Sequence, residues 1–417
     1  MPLDTFVLLC TRQTQLRTIW IGETEDSVTN SVVARRALSK AFSSIKNLDI
    51  LPVSHNTAET GEMILRTATC LRSLRLDLRR NAVASTHRFT SNPFYDREDV
   101  LHILFGEIST LSPPICLSLT TLELLEINLY ASASTIIAAN DFSTLKRLVI
   151  YQCEHTELFL DALIEKRKRR ETSLGNLKEF LFRVEQSEQN TKALESFERF
   201  LHQVKGLRTL SARFDGAPRF PKIGCITPHG PTLEVLCIDV TDSYGVARDR
   251  YAHQDIGFLC SHLTAVTQLG LCLPVLKVDP VESQAFVKES LNHIFSLPHL
   301  TLLNILNLPS TNWSTVVDEA RVLAEHVAGL VFAHERNLCR RRPTAGLRAL
   351  VLGDVADDAA AVAAPARSEY LEVAFYVPME VCWPTGPRRK KVVAAGLAWE
   401  EWRKVVGDTR VLELGGY

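Results

Sequence analysis

The sequence lacks the features that mark nucleic-acid-binding, membrane and secreted proteins. Among its 417 residues, 47 basic side chains nearly balance 48 acidic ones, which leaves no general attraction to nucleic acid or anionic lipid. No apolar run is long enough to span a bilayer. The short apolar patch Phe6–Cys10 lacks the basic leader and cleavage site of a signal peptide. We therefore expect a cytoplasmic or nuclear protein with no nucleic-acid or membrane partner.

Catalytic and metal-binding signatures are also missing. The chain has no phosphate-binding glycine loop, no HExxH, no GxSxG and no zinc-deaminase pattern. Its ten cysteines include no CxxC pair, which favours reduced thiols. Cys225 with His229, and Cys260 with His262, lack a second ligand pair at zinc spacing, so buried structural cysteines are the better interpretation. We expect a non-catalytic protein without cofactor or metal.

What the sequence does contain is a recurring triplet. The stretch TCLRSLRLDL places Leu71, Leu74 and Leu76 in the order apolar-x-x-apolar-x-apolar, and most copies follow the first apolar residue with a polar one. Adjacent copies are mostly about 23 to 34 residues apart. The triplets start at Leu16, Ile45, Leu71, Leu122, Leu145, Leu177, Leu207, Leu233, Val266, Leu300, Leu347 and, in degenerate form, Tyr370.

The triplet has a physical cause. Alternate residues of a strand face one side, so the second and third apolar residues enter a core together, while the first closes the preceding bend. One such strand cannot bury its apolar face alone, but stacked parallel strands can. Segments between the triplets, such as 154–171 and 190–204, show helical spacing of apolar residues. The pattern predicts an α/β solenoid, or horseshoe, with a parallel concave sheet and a helical convex side.

These strands resemble leucine-rich repeats of the long, helix-backed kind, and LKRLVIYQC, which ends at Cys153, is the copy most similar to that family. The irregular repeats with long insertions resemble those of fungal F-box/leucine-rich-repeat proteins. An F-box itself is not evident, since MPLDTF is too short to be one. The resemblance implies a substrate-selecting ubiquitin-ligase adaptor, which would bind the cullin-ligase adaptor if an F-box precedes this sequence in the gene.

Composition divides the chain into three parts. Residues 1–353 hold the irregular repeats, and 354–369 form an Ala-rich linker. Residues 370–417 hold a terminal degenerate repeat and a cap, in which Leu397, Val405 and Val406 suggest an amphipathic helix. Array ends need such caps, because a last repeat would otherwise expose its apolar face.

The residues between the buried apolar positions predict the functional surface, which is the concave face. Its early half is polar with aromatics, which suits a protein partner of unknown identity. Its later half is small and apolar, which suits the alternative function of a small-molecule sensor or enzyme. The predicted partner-binding residues are Trp20, Asp49, Arg75, Asp77, Glu126, Asn128, Tyr151, Arg183, Arg213 and Asp239.

Two basic runs have separate interpretations. Residues Lys166 to Arg170, KRKRR, end a predicted helix, where cations suit the negative end of the helix dipole and meet solvent. Residues Arg388, Arg389, Lys390 and Lys391 follow Gly and Pro in a predicted loop, where an importin could reach them as a nuclear localisation signal. Neither run has interleaved aromatic residues for base stacking.

Overall fold

The computed structural model describes most of the repeat region and part of the C-terminal region. The described residues are 17–21, 42–51, 55–78, 101, 103–105, 117–130, 132–184, 190–241, 251–273, 280–306, 324–325, 327–328, 347–352, 374–382 and 390–397. The chain divides into two units. The first holds 1–185 and 192–205, and the second holds 186–191 and 206–417.

The first unit contains a six-stranded parallel sheet. Each strand pairs with the next one along the chain, so strand order follows sequence order. The leucines of the triplets lie in register, as in the pairing of Leu74 with Leu122 and of Leu76 with Leu124. The strands are β1 Thr18–Ile21, β2 Asn47–Ile50, β3 Ser73–Asp77, β4 Thr121–Leu125, β5 Arg147–Tyr151 and β6 Glu179–Val184.

The second unit also contains parallel strands, but its last two strands pair in the antiparallel sense. Five parallel strands are followed by two antiparallel ones. The parallel strands are β7 Thr209–Asp215, β8 Val235–Thr241, β9 Gln268–Leu271, β10 Leu302–Ile305 and β11 Ala349–Leu352. The antiparallel strands are β12 Ala374–Cys382 and β13 Lys390–Leu397. The α/β class and the parallel pairing of eleven described strands are therefore confirmed, and the horseshoe stays a prediction.

A backbone hydrogen-bond ladder runs through the residues that follow the first apolar residue of neighbouring triplets. The carbonyl oxygen of Arg72 accepts the N–H groups of Thr120 and Thr121, at 2.7 and 3.0 Å. The carbonyl of Thr120 accepts those of Lys146 and Arg147 in the same way, at 2.8 and 3.0 Å. These residues sit at the bend before each strand, where a side chain meets solvent while the backbone joins one repeat to the next.

The same ladder corrects one triplet. The sequence suggests Leu122, Leu125 and Ile127, but the pairing of Leu74 with Leu122 makes Leu119, Leu122 and Leu124 the equivalent set. All three of these leucines are buried, and Thr120, which follows Leu119, occupies the ladder position. After Leu122, it is Leu124 that lies on the leucine side of β4, and Leu125 lies on the opposite side, which reverses the prediction. A slip of one residue moves every side chain to the other face of a strand.

Helices connect the strands, as predicted for the segments after β5 and β6. In the first unit Phe197 and Phe200, which lie in the helix Asn190–Gln203, contact Phe180 of β6, with ring centroids 5.7 and 5.0 Å apart. This pairing shows that the helices cover the leucine side of the sheet there. The helices are α1 His55–Thr67, α2 Ala133–Ala138, α3 Thr156–Lys168, α4 Asn190–Gln203, α5 Ile223–Ile226, α6 His253–His262 and α7 Pro280–Phe295.

The C-terminal region differs from the prediction. The degenerate triplet at Tyr370 does not supply a further parallel strand, because β12 runs antiparallel to β11 and pairs with β13. Leu397 ends strand β13, so it does not belong to a capping helix. Only residues 383–389 separate β12 from β13; antiparallel strands need only such a short connection, whereas parallel strands need a longer crossover. The Ala-rich linker 354–369 and residues 398–417 lie outside the described residues.

Candidate functional site

The side of the first unit's sheet that faces away from the leucine core has a row of polar and aromatic side chains. Parallel register places Trp20 beside Asp49, Asp49 beside Arg75, and Arg75 beside Glu123. Each of these residues alternates with the buried apolar positions of its own strand, which is why the row forms on one face. The row continues into buried apolar residues, Val149 and Leu181.

Ion pairs link the charged members of this face into a chain, which we call the charged ladder: Asp49, Arg75, Asp77, Glu123, Arg147 and Glu179. The Arg75 guanidinium lies 3.0 Å from the Asp77 carboxylate, 3.7 Å from that of Glu123 and 3.9 Å from that of Asp49. Arg147 then lies 3.3 Å from Glu123 and 2.7 Å from Glu179. The charged ladder thereby spans strands β2 to β6.

The charged ladder is partly open to solvent and is negatively charged overall. The side chains of Asp49, Arg75 and Glu179 are about one-third exposed, and those of Glu123 and Arg147 less so. Only Asp77 is buried. Four carboxylates face two guanidinium groups, which leaves two negative charges in excess. Ion pairs at this exposure each contribute about 0 to 1 kcal/mol to stability, so they order the side chains more than they hold the fold.

Trp20 adds the main apolar contact area of this face. Its side chain is on β1, next to Asp49 in the register, and the residue is 56% exposed. Large aromatic side chains are enriched among the residues that dominate binding at protein interfaces. An indole ring beside carboxylates also suits a cationic side chain, which can contact the ring face and a carboxylate together.

Tyr151 and Arg183, two further predicted residues, form a buried pair on the same side of the sheet. The Arg183 Nη1 donates a hydrogen bond of 2.9 Å to the Tyr151 hydroxyl, and the guanidinium carbon lies 5.1 Å from the ring centroid. Tyr151 and Arg183 are 2% and 1% exposed. A partner could reach neither side chain in this conformation, and a charge reversal at Arg183 would test folding rather than binding.

Glu126 and Asn128 do not lie on the strand face, because β4 ends at Leu125. Glu126 has a left-handed backbone with φ of 52°, and its N–H donates to the carbonyl oxygen of Tyr151 at 2.8 Å. The Asn128 side chain accepts the N–H of Tyr130 at 2.9 Å. Both residues shape the turn after β4.

Sequence reasoning missed three members of the charged ladder: Glu123, Arg147 and Glu179. Glu123 was missed because the triplet of β4 was misplaced. Arg147 and Glu179 stand immediately before the first leucine or phenylalanine of their strands, one outward position earlier than the two that the triplet predicts. The signal that could have found them is the sign alternation of charges at equivalent positions of neighbouring strands, which cross-strand pairing favours.

Arg213 and Asp239, the predicted residues of the second unit, belong to a compact internal cluster. Arg213 Nε lies 2.9 Å from an Asp215 oxygen and 3.6 Å from an Asp239 oxygen. The Cys272 thiol donates to the other oxygen of Asp239 at 3.1 Å. Asp239 and Cys272 are buried and the Arg213 side chain is 13% exposed, so this cluster presents little surface to a partner.

Two buried cysteines, Cys153 and Cys260, lie in the core with protonated thiols. Burial raises the pKa of the Cys153 and Cys260 thiols to about 12. Cys225 is likewise buried, as predicted, whereas Cys70 is exposed. Within the described ranges, no group of three or more His, Cys, Asp or Glu side chains is arranged to hold a metal ion. Nor does any helix in those ranges have the length and apolar character needed to cross a membrane.

The predicted nuclear localisation signal is only partly described. Lys390 and Lys391 begin strand β13 and pair with Cys382 and Val381, so they do not lie in a loop. Arg388 and Arg389 lie outside the described residues. Because importins bind extended basic segments that are accessible, the pairing of half of this run weighs against easy access, and nuclear targeting stays a prediction.

Comparison with known proteins adds no relative. Neither a scan against protein-family models nor a search of curated proteins found a match to this chain. The resemblance to leucine-rich repeats therefore stays an expectation from the sequence.

Proposed function

We propose that the protein is a non-catalytic recognition scaffold, a leucine-rich-repeat solenoid that binds a protein partner on the open face of the first unit. The observation that supports this function best is the charged ladder together with Trp20. Side chains from successive strands are held in fixed positions by mutual ion pairs, and they remain partly exposed. Charges that are ordered before binding lose less side-chain entropy when a partner docks.

The charge of the ladder suggests the chemistry of the partner. Its two excess negative charges favour a segment with lysine or arginine side chains, because complementary potentials speed encounter and exclude acidic competitors. Trp20 at the edge of the row offers a surface for the aliphatic part or the cation of such a side chain. The partner in this proposal is therefore a basic peptide or a basic protein surface.

The experiment is affinity purification of the intact protein, with the partners identified by mass spectrometry and then tested one by one. The variant Asp49→Asn with Glu179→Gln removes two partly exposed carboxylates from the charged ladder. We expect it to lose the partners that the wild type captures, while its circular dichroism spectrum and thermal transition remain close to those of the wild type, because only peripheral ion pairs are lost.

A matched control variant removes two other carboxylate charges, which lie on the helical side of the sheet. Asp161 of α3 and Glu195 of α4 are exposed in the same unit, and Asp161→Asn with Glu195→Gln should leave capture intact. Equal capture by the wild type and by the Asp49/Glu179 variant would refute a partner site on the charged ladder. So would partners that carry no basic surface.

The adaptor role in ubiquitin ligation is a narrower form of the same proposal, and it rests on the resemblance to fungal F-box proteins alone. The intact gene product would then bind the cullin-ligase adaptor as well as a substrate. A pulldown with purified adaptor protein measures this directly. Lack of adaptor binding would remove the ligase role and leave the scaffold function to be judged by the charged-ladder variants.

A further inference from the structure

The charged ladder crosses the first unit's sheet along an oblique line. Asp49, Arg75 and Glu123 lie at the same register level on β2, β3 and β4. Arg147 of β5 and Glu179 of β6 pair with each other and lie two residues earlier in the register. The ladder therefore shifts toward the amino-terminal ends of the strands between β4 and β5.

This shift follows the solvent-exposed part of the face. Beyond Glu123, the residues at the same register level are Val149 and Leu181, which are both buried. The amino-terminal side of the ladder is flanked instead by neutral polar residues that are exposed or half-buried: Asn47, Ser73 and Thr121. An elongated ligand that lies along the ladder thus meets alternating charges, with neutral polar groups at one flank.

The distances along this line follow from the geometry of the sheet. Its carboxylates recur on every second strand, with Asp49 on β2, Glu123 on β4 and Glu179 on β6. For strands about 4.8 Å apart with a rise of about 3.3 Å per residue, the Cα atoms of the first two lie about 10 Å apart, those of the second two about 12 Å, and the outer two about 20 Å. Arg75 and Arg147 lie on the strands between them, so the sign of charge alternates at half this period.

An α-helix matches both the distances and the alternation. Residues seven apart lie on nearly the same face of a helix, about 10.5 Å apart along its axis, and residues fourteen apart are separated by about 21 Å. Residues three or four positions away are on that face as well, about 4.5 to 6 Å along the axis, which corresponds to the spacing of adjacent strands. Cations every seven residues, with anions between them, therefore complement the ladder at each strand.

Extended conformations match the ladder less well. Residues on one face of a β-strand recur about every 6.6 Å, so none of them lies about 10 Å from another. A polyproline II helix places every third residue on one side, about 9.3 Å apart, and so reaches only about 19 Å over two periods. It also has no residue on that side at the half period. The charge pattern therefore favours an α-helical ligand.

We propose that the charged ladder binds an α-helix whose lysine or arginine side chains recur every seven residues, with acidic side chains midway between them. This inference rests on the proposed function and gives the basic partner a conformation and a charge spacing. The three cations contact Asp49, Glu123 and Glu179, and the acidic side chains face the two arginines of the ladder. Trp20, which is one strand beyond Asp49 and 56% exposed, packs against an apolar residue one helical turn beyond the outer cation.

The test is isothermal titration calorimetry of the intact protein with three synthetic peptides. The first is alanine-based and carries three lysines seven residues apart, a glutamate three residues after each of the first two lysines, and a leucine four residues beyond each outer lysine. The second has the same composition and equal helicity by circular dichroism, but its lysines are five residues apart and lie on different faces of the helix. The third is the first peptide with a central alanine replaced by proline, which breaks the helix and keeps every charge.

We expect the first peptide to bind at least about tenfold more tightly than the other two, because it alone presents all three cations to the carboxylates from an ordered helix. Equal binding of the first and second peptides would overturn the heptad spacing, and equal binding of the first and third would overturn the helical conformation. Failure of all three to bind at millimolar concentration would overturn both. None of these results removes a basic partner of another shape, which the affinity purification with the Asp49/Glu179 variant tests separately.

A double-mutant cycle locates the peptide on the ladder. Glu123 is the central carboxylate, so it faces the middle lysine in either direction of the helix. Glu123→Gln in the protein and glutamine in place of the middle lysine should each weaken binding about two- to fivefold, and both changes together little more than one alone. The matched control is Asp161→Asn on the helical side, which should show no coupling to the middle lysine. Coupling at Glu123 no larger than at Asp161 would overturn binding on the ladder.

Discussion

Glu123 joins the two arginines of the charged ladder, so its substitution measures how strongly the ladder is coupled. Its carboxylate lies 3.7 Å from Arg75 and 3.3 Å from Arg147. Glu123→Gln keeps the size of the side chain and removes both ion pairs. Arg75 retains Asp77 at 3.0 Å and Arg147 retains Glu179 at 2.7 Å, so neither guanidinium is left without a carboxylate.

The magnitude follows from this geometry. Glu123→Gln breaks two partly exposed ion pairs. If each contributes near the upper end of the range that is usual for the stabilisation by such pairs, the free energy of unfolding falls by about 1 to 2 kcal/mol. Urea denaturation followed by circular dichroism measures it as a shift of the midpoint at constant slope. In about 1 M salt the screening length falls to about 3 Å, so the difference between variant and wild type should shrink there.

The control is Glu62→Gln on helix α1, which breaks a single i, i+4 ion pair of 2.8 Å with Arg66. Helical pairs of this kind contribute about 0.5 kcal/mol or less, so its effect should be the smaller one. A loss of about 3 kcal/mol or more at Glu123, unaffected by salt, would show a fully desolvated network and refute the partly open surface on which the proposed function depends. A loss no larger than that of Glu62→Gln would show that the ladder is not coupled.

Three further predictions concern the second unit and the cysteine thiols. Gly230→Ala should lower the free energy of unfolding by about 1 to 3 kcal/mol in urea, because its Cβ would lie 2.2 Å from the backbone carbonyl oxygen of His262, whereas Gly224→Ala meets no atom within 4 Å and should be neutral or stabilising. A brief iodoacetamide pulse at pH 8 with peptide mapping should modify Cys70 and spare Cys153, whose raised pKa keeps the thiol protonated. The unfolded chain loses that proton first, so the contribution of Cys153 to stability is full below its ordinary pKa of 9.0 and is lost as pH rises toward about 12. Cys153→Ala should therefore lessen the alkaline loss of stability, and an unchanged pH profile would contradict the buried thiol.

The repeating strands were predictable because their signal is local and repeated. A triplet such as Leu71, Leu74 and Leu76 contains both the period of a strand and the residue that closes the bend before it. The polar residue after the first leucine was visible in the sequence as well. The partner of that residue was not visible, since the carbonyl oxygen of Arg72 accepts backbone N–H groups of the next repeat and also the Thr120 hydroxyl at 3.0 Å.

The register of β4 was not predictable from its own residues. The segment from Leu119 to Ile127 holds two overlapping triplets of equal quality, and each would give a strand with one apolar side. The choice is made by pairing with Leu74 and Leu76 of the neighbouring strand. Register is thus a tertiary property here, and a misplaced triplet replaces Glu123 with Glu126 in the predicted site.

The exposure of the side chains on this sheet face was not predictable either. The strand period determines to which side of the sheet a side chain points, and not whether solvent reaches it. Asp49 and Arg183 both point away from the leucine core, yet the Asp49 side chain is 33% exposed and Arg183 is 1% exposed. Which side chain meets solvent depends on what packs over each strand. Periodicity alone therefore predicted a single surface, whereas the structure separates the partly open charged ladder from the closed Tyr151–Arg183 pair.

In the proposed function, the acidic excess of the charged ladder would connect the stability of the sheet with the recognition of a partner. Like charges on neighbouring strands repel, and alternation of Asp49, Arg75, Glu123, Arg147 and Glu179 avoids placing them side by side. Alternation with carboxylates at both ends still leaves an excess negative charge, and Asp77 adds another. That excess is tolerated because water screens the partly exposed carboxylates, and because the buried Asp77 lies 3.0 Å from the Arg75 guanidinium. A cationic partner would replace this water with fixed positive charge while the ion pairs within the ladder stay intact, so binding requires little rearrangement of the sheet.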